Sequence, residues 1–187
     1  MNPSTENILS VVEKKMYDNT IILPNNKNII LTAEQVKKLS KKRIHVIPTR
    51  SVPQGISALL AFNPELSIDE NLELMGESIK NVTTGEVTFA VRDTEWNGTL
   101  IQKDDVLGIR DGELFIVSKN REEVLTELIK EMTKTRKDGI ITIYYGNEIE
   151  EMSMKSIIDA LSKKYEDFDV ECYSGGQELY HYIVSVE

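Results

Sequence analysis

Thr20-Ile21-Ile22-Leu23-Pro24 and Arg43-Ile44-His45-Val46-Ile47-Pro48 are two short apolar runs, each closed by a proline and a polar stretch. The first leads into Asn25-Asn26-Lys27-Asn28, the second into Thr49-Arg50-Ser51. A helical pattern follows each run, from Thr32 and from Pro53. Short apolar strands separated by a single helix run parallel, in a sheet covered on its faces. Their polar loops then meet at the carboxyl edge, where open α/β sheets bind ligands.

Working outward, Asn2 and Pro3 read as the N-cap and first residue of a helix whose inner face is Ile8, Val11 and Val12. No strand precedes this helix, so the chain reads as a piece excised from a longer polypeptide. Thr32-Ala33-Glu34-Gln35 fits a capping box, with Val36 and Leu39 facing inward. Ser51-Val52-Pro53-Gln54 opens a helix through Ile56, Leu59 and Leu60. Ser67-Ile68-Asp69-Glu70 opens another, with Leu72, Met75 and Ile79 as its stripe, after a break at Asn63-Pro64.

Beyond Asn81–Gly85 the period changes to two. Val87, Phe89 and Val91 alternate with Thr88, Ala90 and Arg92. Asn97-Gly98 and Asp111-Gly112 mark tight turns, so 85–118 reads as one antiparallel meander. Asn120 caps a helix through Val124, Leu128, Ile129 and Met132. A strand (Ile140–Tyr145), a helix (Met154, Ile157, Ile158, Leu161) and two strands (Phe168–Tyr173, Tyr180–Val186) follow. Ser174-Gly175-Gly176-Gln177 joins the last two and reads as a hairpin turn. The expected fold is α/β in two parts: a parallel, Rossmann-like unit over 1–82, then an α+β unit over 83–187 on a mostly antiparallel sheet.

Charge divides at the same place. Residues 1–80 carry 10 Lys/Arg against 9 Asp/Glu, while 81–187 carry 12 against 22. A net charge of −9 argues against a nucleic-acid partner. The one basic cluster, Lys37–Arg43, reads as a solvated helix C-terminus. No apolar run approaches the roughly 18 residues of a membrane span. The start carries no secretory signal pattern. A single cysteine, Cys172, excludes an internal disulfide and implies a reducing, cytoplasmic setting.

The chemistry-bearing residues are sparse. Asn25, Asn26, Lys27 and Asn28 beside Thr49, Arg50 and Ser51 offer amides, hydroxyls and two cations at helix starts, a pattern that suits a carboxylate or phosphate. The same residues also serve simply to cap and turn the chain or to touch a protein partner. No Walker or dinucleotide fingerprint occurs. Asp104-Asp105, placed on a strand, would point to opposite faces and share no metal. His45 reads as a satisfied core histidine, and His181 points away from Tyr180 and Tyr182. Cys172 reads as a small core residue. Trp96, beside a hairpin turn, is expected to be partly exposed.

Several stretches together carry a family resemblance. They are the opening Met1–Glu6, Pro24–Ile30, Val46–Gly55 (with Thr49, Arg50, Ser51 and Gln54), Ala90–Thr94 (with Arg92), and Gly175-Gly176-Gln177. In this order they resemble the C-terminal region of the ATP-binding subunit of bacterial fatty acid kinase, within a dihydroxyacetone-kinase-like group. The resemblance spans the whole chain. It implies a fold like that of DegV-type fatty-acid-binding proteins, and a domain that docks a separate DegV-like, fatty-acid-binding subunit. It also implies that Mg-ATP and catalysis belong to an N-terminal domain outside this chain, so no cofactor, no metal and no enzyme activity are expected here. The full-length protein leaves room for a homodimer. DegV-like proteins hold the acyl carboxylate with Ser/Thr loops and a His near the last hairpin, where this chain has Gly175-Gly176-Gln177. The expected function is therefore non-catalytic partner docking. The alternative is a small-anion or fatty-acid-binding module lined by Asn26, Asn28, Thr49 and Arg50.

Overall fold

The computed structural model describes residues 2–187 and divides into two compact units, one ending at Val82 and the other covering Thr83–Glu187. The first unit contains α1 (Thr5–Lys14), β1 (Asn19–Ile22), α2 (Lys27–Leu39), β2 (Arg43–Val46), α3 (Val52–Leu60), α4 (Ile68–Ser78) and a 3-10 turn (Ile79–Asn81). Strands β1 and β2 are parallel, with Asn19 opposite Arg43 and Ile22 opposite Val46. Successive strand residues point to opposite faces. Ile22, Ile44 and Val46 accordingly pack with Val12 and Val36. Ile21 and Ile47 pack with Ala58, Leu72 and Met75. Helices α1 and α2 thus cover one face and α3 and α4 the other, which is why both strands read as unbroken apolar runs.

The boundaries differ from the sequence reading in instructive ways. Ser4, not Asn2, caps α1, because Ser4 and Asn7 close a reciprocal capping box. Leu9 joins the core in place of Val11, which is 57% exposed. Helix α2 begins at Lys27 rather than Thr32: Asn26 Oδ1 accepts the Asn28 N–H at 2.9 Å, and Thr32 becomes an interior helical residue. The apolar Leu39, Leu59 and Leu60 face outward; Leu60 is 81% exposed. In α3 the buried positions are the small Pro53, Gly55 and Ala58, which bring the helix close to its neighbours. The capping box at Ser67 and Glu70 forms as read.

The second unit is built on a six-stranded sheet in the order β7-β6-β3-β10-β8-β9. Its strands are β3 (Thr83–Phe89), β6 (Val106–Arg110), β7 (Glu113–Ser118), β8 (Gly139–Tyr145), β9 (Phe168–Ser174) and β10 (Tyr180–Val186). Every pairing is antiparallel except β8 with β9, which α6 (Glu151–Lys164) connects. Helix α5 (Arg121–Thr133), capped by Asn120, buries Val124, Leu128, Ile129 and Met132 against Val87, Tyr182 and Val184. Gly85 and Gly108 permit this close packing: a Cβ at Gly108 would overlap Ile116 and Val124.

Residues 85–118 are not one continuous meander. Strands β4 (Thr94–Trp96) and β5 (Thr99–Ile101) form a separate ribbon between β3 and β6. Both turn dipeptides behave as read, with positive φ at Asn97 and Gly98 and at Asp111 and Gly112. Strand β3 ends at Phe89, so Val91 is exposed and Ala90 buried. The last two strands are not a hairpin, because β8 lies between them. Strand β9 runs parallel to β8 and β10 antiparallel to it, so the Gly175-Gly176-Gln177 segment must cross the end of β8.

Candidate functional site

The carboxyl ends of β1 and β2 place Asn25, Asn26, Lys27, Asn28, Thr49, Arg50, Ser51 and Gln54 together. Parallel pairing forces this adjacency, and one hydrogen bond ties the two loops: the Asn25 N–H donates to Thr49 Oγ1 at 2.9 Å. Thr49 is fully buried, and its own N–H donates to the Ile47 carbonyl at 2.7 Å. Asn25 takes the left-handed conformation, φ 55°, which Asn tolerates. Its side chain lies against α3, where a Cβ at Gly55 would come within 2.7 Å of the Asn25 Cγ. The carboxamide oxygen Oδ1 is shielded from solvent without a hydrogen-bond partner.

The neighbouring polar groups are largely committed to one another. Ser51 caps α3, its Oγ accepting the Gln54 N–H at 3.3 Å. Gln54 Oε1 in turn accepts the Arg50 N–H at 2.7 Å. Lys27 and Asn28 lie exposed in the first turn of α2. The Arg50 side chain lines an open cleft of about 560 Å³ with Pro48, Gln54, Leu72, Gly76 and Lys80. Neither Gly55 nor Gly76 stands out in the sequence; a glycine inside a helical pattern is the only signal either gives. At Gly76 a Cβ would meet open space.

Arg92 and Gly175-Gly176-Gln177 belong to the second unit, at the end of the sheet where β3 stops and β10 starts. Arg92 is exposed beyond β3. Gln177 acts as a strap: its Nε2 donates to the Tyr144 carbonyl at 2.9 Å, and its own carbonyl accepts the Asn147 N–H at 3.1 Å. The loop residue Gly175 gives its N–H to the Tyr145 carbonyl, and Gly176 has φ 66°.

His181 sits where the β10–β3 register shifts, half-buried, its ring 5.8 Å from Phe89 and its Nδ1 3.9 Å from Glu148. Burial, then the nearby Arg121, pushes its pKa below the usual histidine value. His45 is half-buried rather than a core residue, its Nε2 3.4 Å from Asn19 Oδ1. Asp104 and Asp105 lie in a turn, not on a strand, with Asp104 at φ 68°. Asp105 is buried; its ion pair with Lys119 and the Gln102 N–H keep its carboxyl pKa below the ordinary range. No group of three His, Cys, Asp or Glu among the described residues is placed to hold a metal. Cys172 packs against the second unit's core, and burial raises its thiol pKa.

The architecture is thus a small parallel α/β unit followed by an α+β unit with a mainly antiparallel sheet, as in DegV-like proteins. The Streptococcus pneumoniae Fatty Acid Kinase (Fak) B3 protein, solved loaded with linoleic acid, superposes with a TM-score of 0.71 at 13% identity, over 99% of this chain and 76% of that one. DegV of Bacillus subtilis, described as a fatty acid binding protein, gives 0.62 at 19% identity, over 98% and 77%. These likenesses establish the fold. The family comes from sequence: residues 1–187 match the FakA-like C-terminal family of fatty acid kinases, and the chain belongs to it. Protein YloV of Bacillus subtilis (strain 168) is 43% identical over all 187 residues. A Staphylococcus aureus (strain USA300) protein is 38% identical over the same span. The chain spans about a third of the length of these curated relatives, 34% in each case.

Proposed function

We propose that this chain is the docking domain of a FakA-like fatty acid kinase, and that it receives a separate DegV-like protein carrying the acyl chain. The phosphoryl chemistry, with its Mg-ATP, belongs to other parts of such a kinase, in the cytoplasm. The observation that carries this reading is the match of the entire chain to the FakA-like C-terminal family. The geometry is consistent with it. The loops after β1 and β2 use their amides and hydroxyls on each other, leaving Lys27 and Arg50 as outward cations. Such a surface is built to be recognised rather than to react.

Size-exclusion chromatography with light scattering tests this reading, using the chain mixed with an acyl-loaded DegV-like protein of the same organism at tens of micromolar. The expected result is a peak at the summed mass; two unshifted peaks refute the proposal. The chain alone is expected to turn over no ATP, and measurable turnover would contradict its non-catalytic role.

A further inference from the structure

We infer that Asn25 is an internal plug: its carboxamide fills a crevice at the carboxyl edge of β1 and β2 that otherwise takes a carboxylate group. The crevice has the elements of an anion site. Helices α2 and α3, of 13 and 9 residues, both start there, capped by Asn26 and Ser51. Free N–H groups and the dipole at such ends favour negative charge. Lys27 and Arg50 stand on the two loops, and the fully buried Thr49 joins them. What separates this chain from an open site is one side chain. Asn25 adopts a left-handed backbone and lays its amide against Gly55, the one residue type whose missing Cβ leaves the room.

The buried Asn25 Oδ1 is an acceptor oxygen without a donor. Burying such an atom is unfavourable, and native structures rarely do it without a reason. A carboxylate oxygen is likewise an acceptor, so the amide stands in for the ligand group. The inference is independent of the docking proposal: a chain that docks a partner is free to have an open or a closed crevice. It names a specificity-determining residue, one that keeps this domain from carrying acyl chains itself.

The experiment titrates the full chain with acetate, decanoate and, as an uncharged control, decanol, following binding by calorimetry and folding by circular dichroism. Asn25→Gly keeps the positive φ and the backbone N–H that reaches Thr49. It is expected to bind decanoate at least about tenfold more tightly than the parent chain. A response to acetate as well assigns the gain to the head group alone; a response to decanoate only means that the acyl tail contributes. In Asn25→Gly/Gly55→Ala the new methyl group refills the crevice, and the gain is expected to disappear. If Asn25→Gly loses its native circular dichroism, Asn25→Ser is read by the same criterion. A folded variant that binds carboxylates no better than the parent, or a decanol response equal to that of decanoate, overturns the inference.

Discussion

The contact between Asn25 and Gly55 predicts a stability change that reverses sign with its partner. In the parent chain, Gly55→Ala places a methyl group on the Asn25 carboxamide. Overpacking of this kind costs about 1–3 kcal/mol. Alanine in a helix interior returns roughly 0.5–1 kcal/mol relative to glycine, so the net effect is destabilising by about 0.5–2 kcal/mol. With Asn25→Gly already present the obstruction is gone, and Gly55→Ala stabilises by about the helix term alone. The coupling energy is then about 1–3 kcal/mol, well above the few tenths expected of independent sites. Urea midpoints of the four proteins measure it. In a chain of this length, each kcal/mol corresponds to a shift of roughly 2–4 °C in Tm. Additive effects, or a stabilising Gly55→Ala in the parent chain, would refute the packing described for this corner.

Three further outcomes follow from the same structure. Ser67→Ala removes the hydroxyl that accepts the Glu70 N–H at 3.3 Å, and a loss of about 1 kcal/mol is expected by urea unfolding; an unchanged midpoint would exclude a contribution from this cap. Because the folded His181 pKa is lowered, the unfolded chain binds the extra proton first, so stability is full above the ordinary histidine pKa and declines as pH falls below it toward the folded value. His181→Gln is expected to flatten the midpoint between about pH 6.5 and 5, and an unaltered slope would remove His181 as the cause. With its thiol pKa raised by burial, Cys172 is expected to react slowly with a thiol reagent at pH 7 in the native chain and quickly in urea; equal rates would count against its packing.

Much of the fold was legible because local signals agreed with long-range ones. Two apolar runs ending in proline, with a helix between, left parallel pairing as the compact solution. Asn97-Gly98 and Asp111-Gly112 carry their backbone geometry in their composition. The failures are equally physical. Asn26 and Thr32 are both acceptable caps, and the earlier one prevails by adding Ile29 and Ile30, both partly buried, to the helix. Helix α3 is apolar all round, so periodicity could not tell that Gly55 and Ala58 face in while Leu59 and Leu60 face out. Adjacency in sequence implied that β9 and β10 pair, but nothing local encodes the insertion of β8 between them. The polar loops were readable as a meeting place. Their closure by Asn25 was not, since it depends on one left-handed residue meeting a glycine thirty positions away.

The placement of β10 has a cost in assembly. It is the seam of the second unit, hydrogen-bonded to β3 on one side and β8 on the other, although β3 lies nearly a hundred positions earlier. Such distant pairing is slow to find. Until Tyr180–Val186 arrives, β3 and β8 each present an open ladder of backbone donors and acceptors, a surface prone to sticking to other chains. A nascent or truncated copy that stops short of Tyr180 is therefore two half-sheets with exposed edges rather than a smaller version of the domain.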